Sequence, residues 1–182
     1  MAKIILIYGS QREGREGINV AEFLKSQLGQ RGHDVSLIDP LEYDLKLDVP
    51  ITYKKELTQK EKQLKDLFEQ AEGFLICTAE YNHSYPGALK NILDNFYSEY
   101  DFKPSAICSY STGVFGGVRA AVSLREPLAA LGTVSIPMSL NIPSIGENFK
   151  SASTQNQKVI ENTGKFLDQF EWYIKALKEA RN

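Results

Sequence analysis

Residues 3–17 read Lys3-Ile4-Ile5-Leu6-Ile7-Tyr8-Gly9-Ser10-Gln11-Arg12-Glu13-Gly14-Arg15-Glu16-Gly17. Lys3–Tyr8 is almost wholly aliphatic, the pattern of a strand covered on both faces rather than one alternating with solvent. The glycine-rich, charged run after it ends where Ile18, Ala21, Leu24 and Leu28 begin to recur on one face of a helix over residues 17–30. A doubly buried strand that passes through a polar turn into an amphipathic helix is the first half of a β-α-β crossover. It predicts a parallel sheet sandwiched between helices.

The same alternation runs outward from this start. Further strands are expected at Asp34–Ile38, 73–78 and 105–110, with a weaker fifth at 134–136. Helical periodicity falls on residues 58–71 (Leu64, Leu67, Phe68, Ala71), 86–98 (Leu89, Ile92, Leu93, Phe96), 116–131 (Ala121, Leu124, Leu128, Leu131) and 154–180 (Val159, Thr163, Phe166, Phe170, Ile174, Leu177). Pro86 suits a first helical turn, whereas Pro127, inside the fourth helix, should kink or split it. The order βαβαβαβαβα contains no internal repeat and no low-complexity linker, so residues 1–182 are expected to form a single α/β domain. The longest irregular stretch, 40–56, reads as an exposed connection or as a lid or interface loop.

Composition narrows the function classes. With 21 Lys+Arg against 23 Asp+Glu, the net charge is −2 over 182 residues. That balance argues against a nucleic-acid binder, which needs a basic stripe, and against a strongly acidic shuttle steered onto basic partners. No apolar run approaches the ~18–20 residues of a spanning helix. Charged residues follow the short apolar N-terminus at once, unlike a signal peptide, so a cytoplasmic protein with no membrane partner is expected. Cys77 and Cys108 form no CxxC pair and read as reduced core thiols. His33 and His83 have no ligand cluster around them and predict no metal site.

In a doubly wound sheet, ligands bind beyond the carboxyl ends of the strands, which directs attention to three loops. After the first strand, Gly9 and Gly14 let backbone N–H groups curl toward an anion at a helix N-terminus. Ser10 and Arg12 add a hydroxyl and a fixed charge suited to phosphate. This loop is not a nucleotide P-loop, since Arg15-Glu16 stands where Lys-Ser/Thr is needed, and it lacks the GxGxxG of a dinucleotide turn. After the third strand, Ala79-Glu80-Tyr81-Asn82-His83-Ser84-Tyr85-Pro86-Gly87 is a polar, aromatic frame able to hydrogen-bond the edge of a planar heterocycle while a tyrosine covers its face. A turn whose tyrosines fill the sheet edge is the competing reading. After the fourth strand, Ser111-Thr112-Gly113-Val114-Phe115-Gly116-Gly117-Val118-Arg119-Ala120 either permits close backbone approach to a ligand or is a plain turn before a helix. No GxSxG elbow is present. Asp39 stands where a ribose-binding acid sits in a dinucleotide fold, though a strand-ending cap before Pro40 is the simpler reading.

Three motifs, Gly9-Ser10-x-Arg12 with Gly14-Arg15, Glu80-Tyr81-Asn82-x-Ser84-x-Pro86-Gly87-x-Leu89-Lys90-Asn91, and Ser111-x-Gly113-x-x-Gly116-Gly117-x-Arg119-Ala120, cover the three loops. Together they resemble the NADPH-dependent FMN reductase family of flavodoxin-like proteins, which includes quinone, azo-dye and chromate reductases. The resemblance covers essentially the whole chain. It implies a flavodoxin-like three-layer sandwich, with a five-stranded parallel sheet in the order 2-1-3-4-5 and helices on both faces. It also implies bound FMN and NADPH or NADH as electron donor. Ser10, Arg12, Arg15 and Asn19 match the family's phosphate site. Glu80, Tyr81, Asn82 and Ser84 match the loop against the isoalloxazine ring, and Ser111, Gly113, Gly116 and Gly117 a second loop beside it. Ala79 departs from a proline common in the family, and Asn95-Phe96-Tyr97 replaces a common tryptophan.

The activity so implied is transfer of two electrons from a nicotinamide cofactor through FMN to quinone-like, azo, metal-ion or free flavin acceptors, which are small-molecule partners. No catalytic protein acid, base or nucleophile is required. Homodimers or homotetramers are usual among members, and the amphipathic third helix with Phe96, Tyr97 and Tyr100 beyond it either suits such a contact or simply packs against the sheet. The alternative is a flavodoxin-type electron carrier without substrate turnover, to which Gly-Ser-x-Arg and a charge of −2 are poorly suited.

Overall fold

In the computed structural model, which describes residues 1–181 apart from Asp44 and Asp48, five strands form one parallel sheet. They are β1 (Lys3–Tyr8), β2 (Asp34–Ile38), β3 (Gly73–Ala79), β4 (Pro104–Tyr110) and β5 (Val134–Ile142), and they lie in the order β2-β1-β3-β4-β5. Side chains alternate across the sheet. Ile4, Leu6 and Tyr8 enter one core with α1 (Ile18–Gln30) and α6 (Gln157–Arg181). Ile5 and Ile7 enter a second core with α2 (Gln59–Gln70), α3 (Gly87–Asp94) and α4 (Val118–Ala130). This is a flavodoxin-like three-layer sandwich, and double burial explains why β1 is aliphatic from Ile4 through Ile7. Its helices start by recognisable chemistry. At α2 the Thr58 hydroxyl accepts the Glu61 N–H, and the Glu61 carboxylate accepts the Thr58 N–H at 2.8 Å.

The fifth strand is longer than the expected 134–136. Between the pairs Ser105–Ser135 and Ile107–Ser139, β5 advances four residues while β4 advances two, so Pro137 sits in a bulge on an edge strand. Both helical layers satisfy the polar groups freed there. Arg125 of α4 donates to the Ile136 and Pro137 carbonyls at 3.0 and 2.8 Å, and Gln169 of α6 accepts the Met138 N–H at 2.9 Å. Contrary to the expected kink or split, α4 runs unbroken through Pro127. The proline falls in its last turn, and its own carbonyl still accepts the Leu131 N–H at 3.0 Å.

The third helix ends at Asp94, short of the expected 98. A 3-10 turn follows at Ser98–Tyr100. Phe96 and Tyr100 turn inward rather than toward a second copy. Phe96 stacks on Phe68 with ring centroids 3.8 Å apart, and Tyr100 lies 4.8 Å from Phe74. Of the three aromatics expected to suit a contact between copies, only Tyr97 is exposed. The 40–56 segment is a fastened connection. Gln11 donates to the Pro40 carbonyl at 3.1 Å, Asn91 to the Leu45 carbonyl at 2.9 Å, and the Asn95 side-chain oxygen accepts the Ile51 N–H at 3.1 Å. Asp44 and Asp48, within that segment, lie outside the described residues. Among the described residues no helix is long and apolar enough to cross a membrane.

Candidate functional site

β1 leads into α1 on one face of the sheet and β3 leads into α3 on the other, so the loops after these adjacent strands part at the carboxyl edge. Such a switch point leaves a crevice. The cleft found there, of about 200 Å³, is lined by Ser10, Arg12 and Arg15 after β1, by Glu80 and Tyr81 after β3, and by Tyr110 and Ser111 at the end of β4.

The two arginines of the first loop have opposite surroundings. Arg15 makes a two-pronged ion pair with Asp39 at the end of β2, both contacts 2.5 Å, and also donates to the Ser10 carbonyl at 2.8 Å. Hydrogen bonding to Asp39 raises the Arg15 pKa further and keeps it charged, but that charge is neutralised where it arises. Asp39 also accepts the Leu41 N–H at 3.0 Å, so it is the strand-ending cap and the counterion together. Arg12 instead stacks over the Tyr81 ring, 4.1 Å from its centroid. Among the described residues it has no carboxylate within ion-pair distance. Ser10 is wholly buried. Its hydroxyl lies 2.7 Å from the Tyr81 phenol and accepts the Arg12 N–H at 3.3 Å. Asn19 is not brought to the cleft, because its side-chain amide donates to the Phe149 carbonyl at 3.2 Å.

The loop after β3 is a two-residue turn. The Tyr81 N–H donates to the Ser84 carbonyl at 2.8 Å and the Ser84 N–H returns to Tyr81 at 3.0 Å. Asn82 and His83 between them are left-handed, with φ of 51° and 66°. For a histidine this is strained and holds only where the surroundings over-determine it. Both arms of the turn are tied down, Tyr81 to Ser10 and Ser84 to Ser123 of α4 at 3.3 Å. Among the described residues no group claims the Asn82 or His83 N–H, so the donors this loop offers are those two amides. The Glu80 carboxylate faces elsewhere. It accepts the Arg119 backbone N–H at 3.0 Å and meets the Arg119 guanidinium at 3.4 Å. It thereby caps α4, whose N-terminal Gly117 has no side chain to offer.

The third loop supports more than it lines. Gly116 and Gly117 are left-handed, with φ of 61° and 78°. A Cβ on Gly116 would lie 2.9 Å from the Asn141 and Ile142 backbone, and one on Gly117 2.8 Å from the Tyr110 carbonyl. They seat the loop against β4 and β5, and Gly113 offers its carbonyl to Ser111 and Ser144. The cleft itself sees Ser111 and Thr112.

Two cleft residues escape motif reading. The Tyr110 hydroxyl donates to Tyr8 at 3.1 Å, and the two rings lie nearly parallel, 6.4 Å apart. Burial pushes the Tyr8 phenol up to about 12 and the Tyr110 phenol higher, so both remain neutral donors. Gly17 has helical φ and ψ, yet a Cβ there would overlap the Tyr110 ring. The available signals were a tyrosine ending the fourth strand and a glycine at a helix start, and neither is specific. The cleft combines a buried hydroxyl, an uncompensated guanidinium and aromatic walls, and the Asn82–His83 turn follows directly on Tyr81 at its edge without lining it.

The profile of the family described as NADPH-dependent FMN reductase matches residues 2–147, which takes in all five strands and the three loops of the cleft. An NAD(P)H-dependent FMN reductase from Nectria sp is 31% identical, covering 100% of this chain and 96% of that protein. A quinone reductase from Escherichia coli (strain K12) is also 31% identical, covering 92% and 86%. Among solved structures, FerB, a flavoenzyme NAD(P)H:(acceptor) oxidoreductase from Paracoccus denitrificans, aligns with a TM-score of 0.81 over 97% of this chain and 98% of that one. At 24% identity it is a likeness of fold. The profile match over residues 2–147, with relatives 31% identical over nearly the whole chain, places it in the NADPH-dependent FMN reductase family, oxidoreductases that work with FMN and an NAD(P)H donor.

Proposed function

We propose that residues 1–182 act as one domain that passes two electrons from NADPH or NADH, through FMN, to quinone-like, azo, metal-ion or free flavin acceptors in the cytoplasm. The observation that carries this reading is Arg12, a guanidinium with no carboxylate among the described residues, beside the buried Ser10 hydroxyl in the loop leading to α1. A fixed charge without a counterion beside a hydroxyl able to donate fits the FMN phosphate. Bound FMN would supply the hydride-accepting and electron-donating chemistry there.

The chain's own residues bind, orient and exclude water. Ser10 and Arg12 hold the phosphate. The Asn82 and His83 amides donate to the ring edge, with Ser111 beyond it. Arg15 braces the first loop through the Ser10 carbonyl, and Glu80, Gly116 and Gly117 brace the start of α4. Tyr110 and Tyr8 close the floor. The cleft's 200 Å³ is below the roughly 300 Å³ of enclosed small-molecule sites, which suits a ring left open on one face for donor and acceptor in turn. Homodimers or homotetramers are part of the proposal. Val114, Phe115, Val118 and Val122 form exposed apolar surface at the start of α4 that self-association would cover.

The test is the visible spectrum of the purified protein under anaerobic NADPH. Flavin bands that bleach and then recover on adding a quinone, through many turnovers per chain, support a reductase over an electron carrier. A protein still colourless after excess FMN and desalting overturns the reading of the cleft.

A further inference from the structure

We propose that Tyr81 is the positioning residue of the phosphate pair: its ring holds the Arg12 guanidinium, its hydroxyl holds Ser10, and both are left aiming their free donors at one anion. The proposal rests on the phosphate reading above and assigns Tyr81 a role apart from covering the flavin ring. Arg12 is an exposed side chain with many rotamers, and fixing it on binding an anion carries an entropic cost. Stacking 4.1 Å above the Tyr81 ring fixes it beforehand. A stacked guanidinium keeps its in-plane N–H donors free for phosphate oxygens.

Ser10 is oriented by the same residue. Its hydroxyl oxygen accepts the Arg12 N–H at 3.3 Å, and the Tyr81 phenol is 2.7 Å away. With the phenol as second donor, both lone pairs of the oxygen are filled. The hydroxyl proton is then the one valence left, and it is available to a ligand. The strained turn has its use here. Left-handed Asn82 and His83 hold Tyr81 at the start of a two-residue turn after β3, from which it reaches across the cleft to the loop after β1. Phosphate recognition by one loop is thus set by a residue of the other.

The experiment compares FMN with riboflavin, which has the same ring without the phosphate, by fluorescence titration of wild type, Tyr81→Phe and Tyr81→Leu. Tyr81→Phe keeps the ring under Arg12 and loses the hydroxyl, so the FMN Kd should rise about fivefold, the scale of one neutral hydrogen bond. Tyr81→Leu loses both contacts and should raise it about twentyfold, the cation–π contribution included. The riboflavin Kd should stay within about twofold in both variants, which also shows that the site remains folded. Equal losses for FMN and riboflavin would make Tyr81 a ring cover and overturn the proposal. Tighter FMN binding by Tyr81→Phe would overturn it too, since the phenol would then compete with phosphate. Ser10→Ala and Arg12→Ala separate the two levels of inference. If they leave the FMN-to-riboflavin ratio unchanged, the phosphate reading itself fails. If they raise the FMN Kd relative to the riboflavin Kd while the Tyr81 variants do not, only the positioning role fails.

Discussion

Gly17→Ala should destabilise the protein, although backbone preference alone says the opposite. Gly17 has φ −64° and ψ −14°. At such a position alanine normally gains about 0.5–1 kcal/mol by restricting the unfolded chain. The obstacle is Tyr110, whose ring occupies the space the new methyl needs. That ring is 6% exposed and bonded to Tyr8 at 3.1 Å, so it has little room to withdraw. Overpacking of this kind costs about 1–3 kcal/mol, and loss of the phenol hydrogen bond adds about 1 kcal/mol. Net destabilisation of about 1–3 kcal/mol is expected. Urea unfolding followed by far-UV circular dichroism measures it, since Trp172, the sole tryptophan, is 65% exposed and its emission reports little. The control is Gly17→Ala in a Tyr110→Leu background, where the distal ring atoms are gone and the substitution should be neutral or stabilising. Gly17→Ala at or above wild-type stability, or the same penalty in both backgrounds, would refute the reasoning.

Asp39→Ala should cost about 3 kcal/mol in the same unfolding assay, because it leaves the largely buried Arg15 without its counterion and the Leu41 N–H without its cap. A loss under 1 kcal/mol would mean that Arg15 finds solvent as easily as it finds Asp39. Thr58→Ala should cost about 1 kcal/mol through the lost cap of α2. The Glu61 carboxylate of that cap gives the fold a pH dependence of definite sign. The Lys54 ammonium, with the Thr58 N–H, holds the Glu61 carboxyl at about 2 against an ordinary 4.5. A folded value below the unfolded one gives stability that is complete above the ordinary value and fades as pH falls toward the lower one. The stability gap between wild type and Lys54→Met, which removes the largest of these contacts, should therefore narrow between pH 4.5 and 2. A constant gap down to pH 2 would refute the Lys54 contact as the cause.

The fold was readable where burial is two-sided. β1, β3 and β4 carry runs of consecutive apolar residues, Ile4–Ile7, Phe74–Cys77 and Ala106–Cys108, because both faces meet helices. β5 broke the rule. It lies at the edge, it contains Pro137, and its extension rests on Arg125 and Gln169, whose positions are set only once α4 and α6 have docked. The inward turn of Phe96 and Tyr100 was hidden for a related reason. Helical spacing identifies an apolar face but not whether the sheet or another chain covers it. In the site, Ser10 and Arg12 were readable from residue type. That Arg15 is neutralised and Arg12 is not depends on Asp39, which the β1–β2 pairing brings alongside from 24 residues away.

Since the cofactor carries the reaction, what this protein must specify is the spacing of three loops. The residues its motifs single out divide accordingly. Ser10, Arg12 and the Asn82–His83 turn present donors, whereas Glu80–Arg119, Ser84–Ser123 and the close approach of Gly116 to β5 and Gly117 to β4 tie the loops to one another, to the sheet and to α4. Tyr81 belongs to both groups, because its contacts with Ser10 and Arg12 cross the cleft. Damage to a brace should therefore first loosen flavin retention and leave hydride transfer in the flavin-loaded fraction near its original rate. Damage to a donor should lower affinity for the phosphate or ring end alone. A brace variant that retained its flavin but reduced it slowly would mean that the loops also tune the ring's reactivity, a duty their geometry does not require.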